Sequence, residues 1–286
     1  LTAHNPRLHA FRPDLADIRL KGEVSAERFV SGSAAQIAVP VSDMKRLPAH
    51  DAGLDTQLLL GDAVQVYDRA NGWAWVQAER DGYVGYVSES DLTGPVKPAT
   101  HVVIEPRSFV YPGPDLRFPV VETVSMGSGV RATGEAETRG TRYLVLDNGK
   151  AMIAKHLAPI AEYASDYVAV AERFLNTPYL WGGNTGFGID CSGLVQLALR
   201  MSGVNVLRDS DMQEATIGAP LDPGLNHQNV QRGDLVFWKG HVAIMTDAEM
   251  MIHANGHTML VSHERLDDAV KRIGYLYGQP TGFRRL

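Results

Sequence analysis

One cysteine, Cys191, stands in 286 residues, so no disulfide can form within the chain and a disulfide-stapled secreted scaffold is excluded. No apolar run approaches the roughly 20 residues that a membrane helix requires. The first twenty residues, LTAHNPRLHAFRPDLADIRL, contain no continuous apolar stretch, which predicts no secretory signal and a cytoplasmic location. Basic runs are absent too. Lys and Arg number 27 against 33 Asp and Glu, a net charge of −6, which disfavours nucleic acid or an anionic membrane as a partner. What remains is ordinary globular composition, 44% apolar and 21% charged, of a length suited to two or three domains.

The pattern changes near residue 160. Before it, AVQVYD (63–68), WAWVQAE (73–79), YVGYVS (83–88) and YLVLD (143–147) read as short strands, with Asn71-Gly72, Asp81-Gly82 and Asn148-Gly149 as turns between them. A weak internal repeat relates VPVSDMKRLP and the segments after it to IEPRSFVYPGPD and its followers, with TGPVKPAT (93–100) as the linker. Two small barrels are expected, over 26–95 and 96–160, after an N-terminal arm over 1–25 in which LADIRLKGEV forms a short helix or an extended arm. From 161 to 286 helical spacing comes first, in DYVAVAERFLN (166–176) and SGLVQLALRMSG (192–203), and apolar strands follow, an α+β order.

Cys191 follows the Gly-rich loop YLWGGNTGFGID (179–190) and opens a helix, with Asp190 as N-cap and Gly203 as the residue after its end. A helix N-terminus lowers a thiol pKa and offers N–H groups to an oxyanion, so the position suits a nucleophile as well as it suits a buried structural cysteine. A nucleophile needs a base. His241 starts one apolar strand and His253 lies on the next, so a hairpin would make them cross-strand neighbours, His241 as base and His253 as orienter. Either histidine alone would more simply be a satisfied strand residue. A metal is the weaker use of these side chains: His253, His257 and His263 surround a turn, and no second cysteine is present.

YLWGGNTGFGIDCSGLVQLAL, GDLVFW, GHVAIM and MIHA, in that order, resemble the cysteine and histidine motifs of the NlpC/p60 cell-wall peptidases over residues 165–286. The two upstream halves resemble bacterial SH3 domains, an arrangement similar to that of the γ-D-glutamyl-L-diamino acid endopeptidases. The resemblance implies a papain-like α+β domain preceded by two SH3-like barrels. It implies a cofactor-free cysteine peptidase that recycles murein peptides carrying a free N-terminal L-Ala. Cys191 would be nucleophile, His241 general base and His253 the orienting residue. Tyr179 and Trp181 would line the cleft, Asp190 would bind the amine side of the substrate, Ser192 its backbone, and Asp209, within an Arg-Asp-Ser-x-x-Gln stretch, the α-amine. Tyr83 of the first SH3-like half would cap the cleft, with Asp62 or Glu79 as a charge-pairing acid. The alternatives are an exported hydrolase of intact peptidoglycan stems, a non-catalytic wall-peptide-binding protein, and an acyltransferase or deamidase on the same triad.

Overall fold

Period-two sequence before residue 160 and mixed sequence after it fold as separate units, one ending at Glu162 and the other running from Tyr163 to Leu286. The structure, a computed structural model, describes residues 4–286.

In the N-terminal unit, seven strands form an antiparallel sheet in the order 92–93, 33–37, 63–70, 73–78, 84–88, 41–45, 54–59. The expected turn at Asn71-Gly72 joins two of them, with both residues at positive φ (53° and 80°) and Ala70 paired with Trp73, as a tight hairpin requires. The arm is not a free helix. Phe11–Arg12, Leu15–Asp17 and Arg28–Val30 make a small sheet of their own, with one 3-10 turn at Ile18–Leu20. Ala10 and Leu15 of this arm pack on Tyr67 and Trp75, and the Arg12 guanidinium lies 4.6 Å over the Trp75 ring.

Residues 101–159 form two three-stranded sheets and a hairpin around a second core, which includes Val103, Val110, Val124, Leu144 and Met152. The two halves of this unit meet backbone to backbone at Gly61 and Gly129. A Cβ on Gly61 would fall 2.5 Å from the Gly129 carbonyl oxygen, so no larger residue fits there.

In the C-terminal unit Asp166 caps helix α1 (Tyr167–Glu172), accepting from the Val168 and Ala169 N–H groups at 2.9 and 3.3 Å. This helix is shorter than the spacing predicts. The Phe174 and Leu175 N–H groups bond three residues back, and Asn176 takes φ 65°, so the last turn tightens and ends before Pro178. Helix α2 (Cys191–Met201) is buried on nearly every side, hence its almost unbroken apolar sequence. Helix α3 spans Ser210–Thr216 and α4 Leu266–Tyr277. Six antiparallel strands run in the order 219–220, 282–285, 235–238, 241–245, 250–255, 260–265. Helix α2 packs against the 241–245 and 250–255 strands. Leu266, Ala269 and Ile273 of α4 pack with Trp238, Ala243 and Met251 on one face of the sheet. Among the described residues no helix is long and apolar enough to cross a membrane.

Candidate active site

Cys191 is the first residue of α2 and is 7% exposed. Three elements hold it. The Asp190 carboxylate caps the helix by accepting from the Gly193 N–H at 2.7 Å. Gly193 lies so close to the preceding loop that a Cβ there would sit 2.5 Å from the Gly183 carbonyl. On the sheet side, the ladder between the 241–245 and 250–255 strands stops at Ile244↔Ile252. The ends of the two strands away from their connecting turn are therefore not paired with each other, and the Val242 N–H reaches the Cys191 sulfur instead.

His241, the residue before Val242, is the first of the same strand. Side chains alternate along strands, so His241 shares a face with Ala243 and Met245, and His253 with Met251. Met245 pairs with Met251, which puts both histidines on one face. Their rings meet there: His241 Nε2 is 2.9 Å from His253 Nδ1, with ring centroids 5.1 Å apart. The sequence-predicted hairpin thus brings His241 and His253 together, as diagonal rather than directly opposed neighbours, while the Cys191 sulfur meets the backbone of Val242, the residue after His241.

Burial governs the electrostatics. It pushes the Cys191 thiol up to about 12, helped by the Asp190 carboxylate and opposed by the Val242 and Ser192 N–H groups and Arg208. It also pushes His241 down to about 3, with His253 and Arg272 adding to the effect. Burial therefore favours the uncharged form of both the thiol and the imidazole. The helix terminus does lower the thiol pKa in principle, but desolvation of a buried sulfur outweighs it here.

The other sequence candidates divide. Trp181 is 71% exposed and Tyr179 half-buried, its backbone N–H bonded to the Met259 carbonyl at 2.8 Å. Burial, then the nearby Cys191 and Asp190, raise the Tyr179 phenol pKa, so the hydroxyl stays protonated beside the site. Asp190 and Ser192 are engaged inside the protein. Arg208, 1% exposed, donates to both Asp190 oxygens at 3.0 and 2.7 Å and to the Ser192 hydroxyl at 2.8 Å. Gln213, fully buried, donates to the Ser192 carbonyl at 2.9 Å. Asp209 stands at the N-cap position of α3 and accepts no bond from that helix with its side chain. In the N-terminal unit, Tyr83 is buried, with its N–H on the Asp81 carboxylate at 3.0 Å. Asp62 accepts from the Leu59 N–H and from Arg80, and exposed Glu79 accepts from Gln65.

Sequence reasoning missed the partners beyond the triad. Arg208 supports the loop before the nucleophile, and its only sequence signal was its place before Asp209. Glu264 lies 3.1 Å from His253 Nε2 and takes two bonds from Arg272, at 2.8 and 2.6 Å. Neither belongs to a local motif.

Residues 176–272 match the NlpC/P60 family and residues 46–92 the bacterial dipeptidyl-peptidase SH3 domain. A γ-D-glutamyl-L-lysine dipeptidyl-peptidase of Bacillus cereus (strain ATCC 10987 / NRS 248) is 29% identical over 230 residues, which cover 70% of this chain and 67% of that protein. Dipeptidyl-peptidase 6 of Lysinibacillus sphaericus is 28% identical over 228 residues, 73% of this chain and 82% of that protein. Among solved structures, an NlpC/P60 family protein from Bacillus cereus ATCC 10987 is similar with a TM-score of 0.73 and 25% identity, over 88% of this chain and 99% of that one. The chain carries an NlpC/P60 domain and a bacterial SH3 domain.

Proposed function

Proceeding from an NlpC/P60 domain joined to a bacterial SH3 domain, we propose that this protein is a cysteine peptidase of murein peptides. It cleaves the γ-D-glutamyl–diamino acid bond of peptides with a free N-terminal L-Ala, in peptide recycling. The names of the relatives support the bond, and the size of the region they share with this chain supports the comparison. The carrying observation is the His241–His253 ring pair, with His241 on the strand whose Val242 N–H meets the Cys191 sulfur. By the weak internal repeat, residues 96–160 are a second SH3-like domain.

The chemistry starts from the uncharged thiol and imidazole that burial favours. Cys191 Sγ attacks the γ-carbonyl carbon as its proton passes to His241, so a carbon–sulfur bond forms and the carbonyl oxygen becomes negative. Three of the first four N–H groups of α2 have partners: Ser192 on the sulfur, Gly193 on Asp190 Oδ1, Leu194 on the Asp190 carbonyl. The Cys191 N–H is the fourth and would face the oxyanion. The carbon–nitrogen bond then breaks and the His241 proton goes to the departing amine. Water, deprotonated by His241, hydrolyses the thioester and returns the thiol.

Trp181 and Tyr179 line the cleft with their aromatic surface, and Asp209, as the family resemblance implies, receives the ammonium of L-Ala through charge-assisted hydrogen bonds. Asp190 and Ser192 act on the substrate through the geometry that Arg208 imposes on the helix start.

Mass spectrometry of L-Ala-γ-D-Glu-meso-diaminopimelate tests the reading, alongside its N-acetylated form and the Cys191→Ala variant. Release of L-Ala-D-Glu from the free peptide alone, lost in the variant, is expected. Equal cleavage of the acetylated peptide would overturn the free-amine requirement and favour hydrolysis of intact stems. No cleavage of either would overturn the substrate.

A further inference from the structure

The histidine pair continues beyond His253 along one face of the sheet. Met251 pairs with Glu264, so alternation sets Glu264 on the face that carries His241 and His253. Helix α4 covers that face and supplies Arg272, whose Nε and Nη2 bond the two Glu264 oxygens at 2.8 and 2.6 Å. The carboxylate turns its Oε2 towards His253 Nε2 at 3.1 Å. The approach is off the N–H axis, an electrostatic contact more than a linear hydrogen bond. His253 itself is fully enclosed, so this contact is not diluted by water.

A proton count then decides which ring nitrogens carry hydrogen. Each neutral imidazole has one N–H and one bare nitrogen. Suppose His253 were protonated at Nδ1. Its Nε2 lone pair would then face an ionised carboxylate at 3.1 Å, two acceptors in a dry site. With the proton on Nε2, the contact becomes attractive and Nδ1 is bare. The 2.9 Å contact between the rings then requires His241 to donate from Nε2. His241 is left with a bare Nδ1, the nitrogen that a base for Cys191 needs. Glu264 stays ionised because the two Arg272 bonds outweigh the cost of its burial.

We propose that Glu264, held by Arg272, is a positioning residue that sets the tautomers of His253 and His241 so that His241 presents an unprotonated Nδ1 to Cys191. The idea rests on the reading of Cys191 and His241 as a nucleophile–base pair. Besides Glu264, the groups that act on His253 are Arg272 on α4, and His257 beyond the end of its own strand.

Ring nitrogen shifts in the 15N-histidine-labelled full chain test this without a substrate. The expected spectrum at neutral pH has His253 and His241 both protonated at Nε2. A wild-type spectrum with His253 protonated at Nδ1 overturns the proposal, whatever any variant does. In Glu264→Gln the amide oxygen keeps the Arg272 Nε bond, the Nη2 bond is lost, and the NH2 group turned to His253 donates to it, which favours the reversed tautomers. The expected result is a reversed or mixed spectrum, with kcat lowered about 10- to 100-fold and KM nearly unchanged. Glu264→Asp keeps the charge and should recover part of both. Unchanged tautomers and kcat in Glu264→Gln overturn the proposal. Should that variant not fold, Arg272→Lys, which keeps one donor, is expected to show the same change in weaker form. Iodoacetamide alkylation of Cys191 in the same proteins needs no peptide. It therefore separates failure of this proposal, in which wild type and Glu264→Gln react alike, from failure of the substrate assignment, in which they differ but no peptide is cut.

Discussion

Two networks in this chain are built from the same parts and end differently. In the N-terminal unit the Asp17 carboxylate accepts from the Arg19 backbone N–H at 2.9 Å, from Arg19 Nε at 2.6 Å and from the Tyr67 hydroxyl at 2.7 Å. In the C-terminal unit Arg272, Glu264 and His253 make a similar set of arginine, carboxylate and ring. The first arginine is 67% exposed and the ring is a phenol, whose one oxygen carries its single proton and has no second site on the ring to fix. Burial and the Asp17 charge push that phenol up to about 12, so it remains a donor throughout the physiological range. The second ring is an imidazole with a second nitrogen, and fixing one nitrogen fixes the other. One network fastens an arm to a sheet; the other carries the position of a proton across three strands. The difference lies in what stands at the end, not in the strength of the ion pair.

Variants that attack each network should separate stability from rate. The largest effect is expected from Cys191→Ala, which removes the proposed nucleophile. Peptide hydrolysis should fall by on the order of 10³-fold or more, with the melting temperature nearly unchanged, measured by mass spectrometry and calorimetry. Next comes Arg208→Met. It leaves the buried Asp190 carboxylate without its cation, and the loss should be about 3–5 kcal/mol in a denaturant titration. An unchanged midpoint would show that the backbone donors to Asp190 suffice.

Asp17→Asn should be milder, about 1–3 kcal/mol, because the amide keeps one acceptor and loses the charge. Its effect should appear as faster hydrogen exchange in residues 10–30, with kcat for the peptide unaffected. A fall in kcat equal to that of Glu264→Gln would erase the distinction between the two networks.

The smallest effect per step is the pH dependence. His241 is held near 3 in the folded chain against an ordinary 6.5, so unfolding takes up a proton below 6.5. Its contribution to stability is complete above 6.5 and drains away as pH falls towards 3, on the order of 1 kcal/mol per pH unit. His253 is shifted in the same direction by burial. Glu264, held at about 2 against 4.5, acts in a lower window, and its stabilisation is lost between those values. Asp17 stays below its ordinary 3.8 although burial opposes it, because of Arg19 and Tyr67. Hydrogen exchange from pH 7 downwards should therefore show the C-terminal unit loosening first, from about 6.5, and the arm only in the carboxylate range. Simultaneous loosening would mean that the histidines are not buried neutral.

Much of the site was legible because its members lie in local patterns. Cys191 follows a Gly-rich loop and opens an apolar helix, and each histidine lies within an apolar strand segment, His241 at its start and His253 inside it. Glu264 and Arg272 escape such reading. Their pairing needs the register Met251↔Glu264 and a helix folded back over that face, neither of which has a signature in a window of a few residues. The arm escapes for another reason. Its strands of two and three residues carry no period, and they form because Tyr67 and Trp75 offer an aromatic surface to cover.

The order of residues alone determined the break near 160, the hairpin turns, the caps of α2 and the three motif residues, since each depends on neighbours within a few positions. Tertiary structure decided the charge states and the tautomers. The helix terminus favours a thiolate, yet burial, helped by the Asp190 carboxylate, outweighs it and keeps Cys191 a thiol. Desolvation depends on what surrounds a group in space, and that is set only when strands distant in sequence are paired.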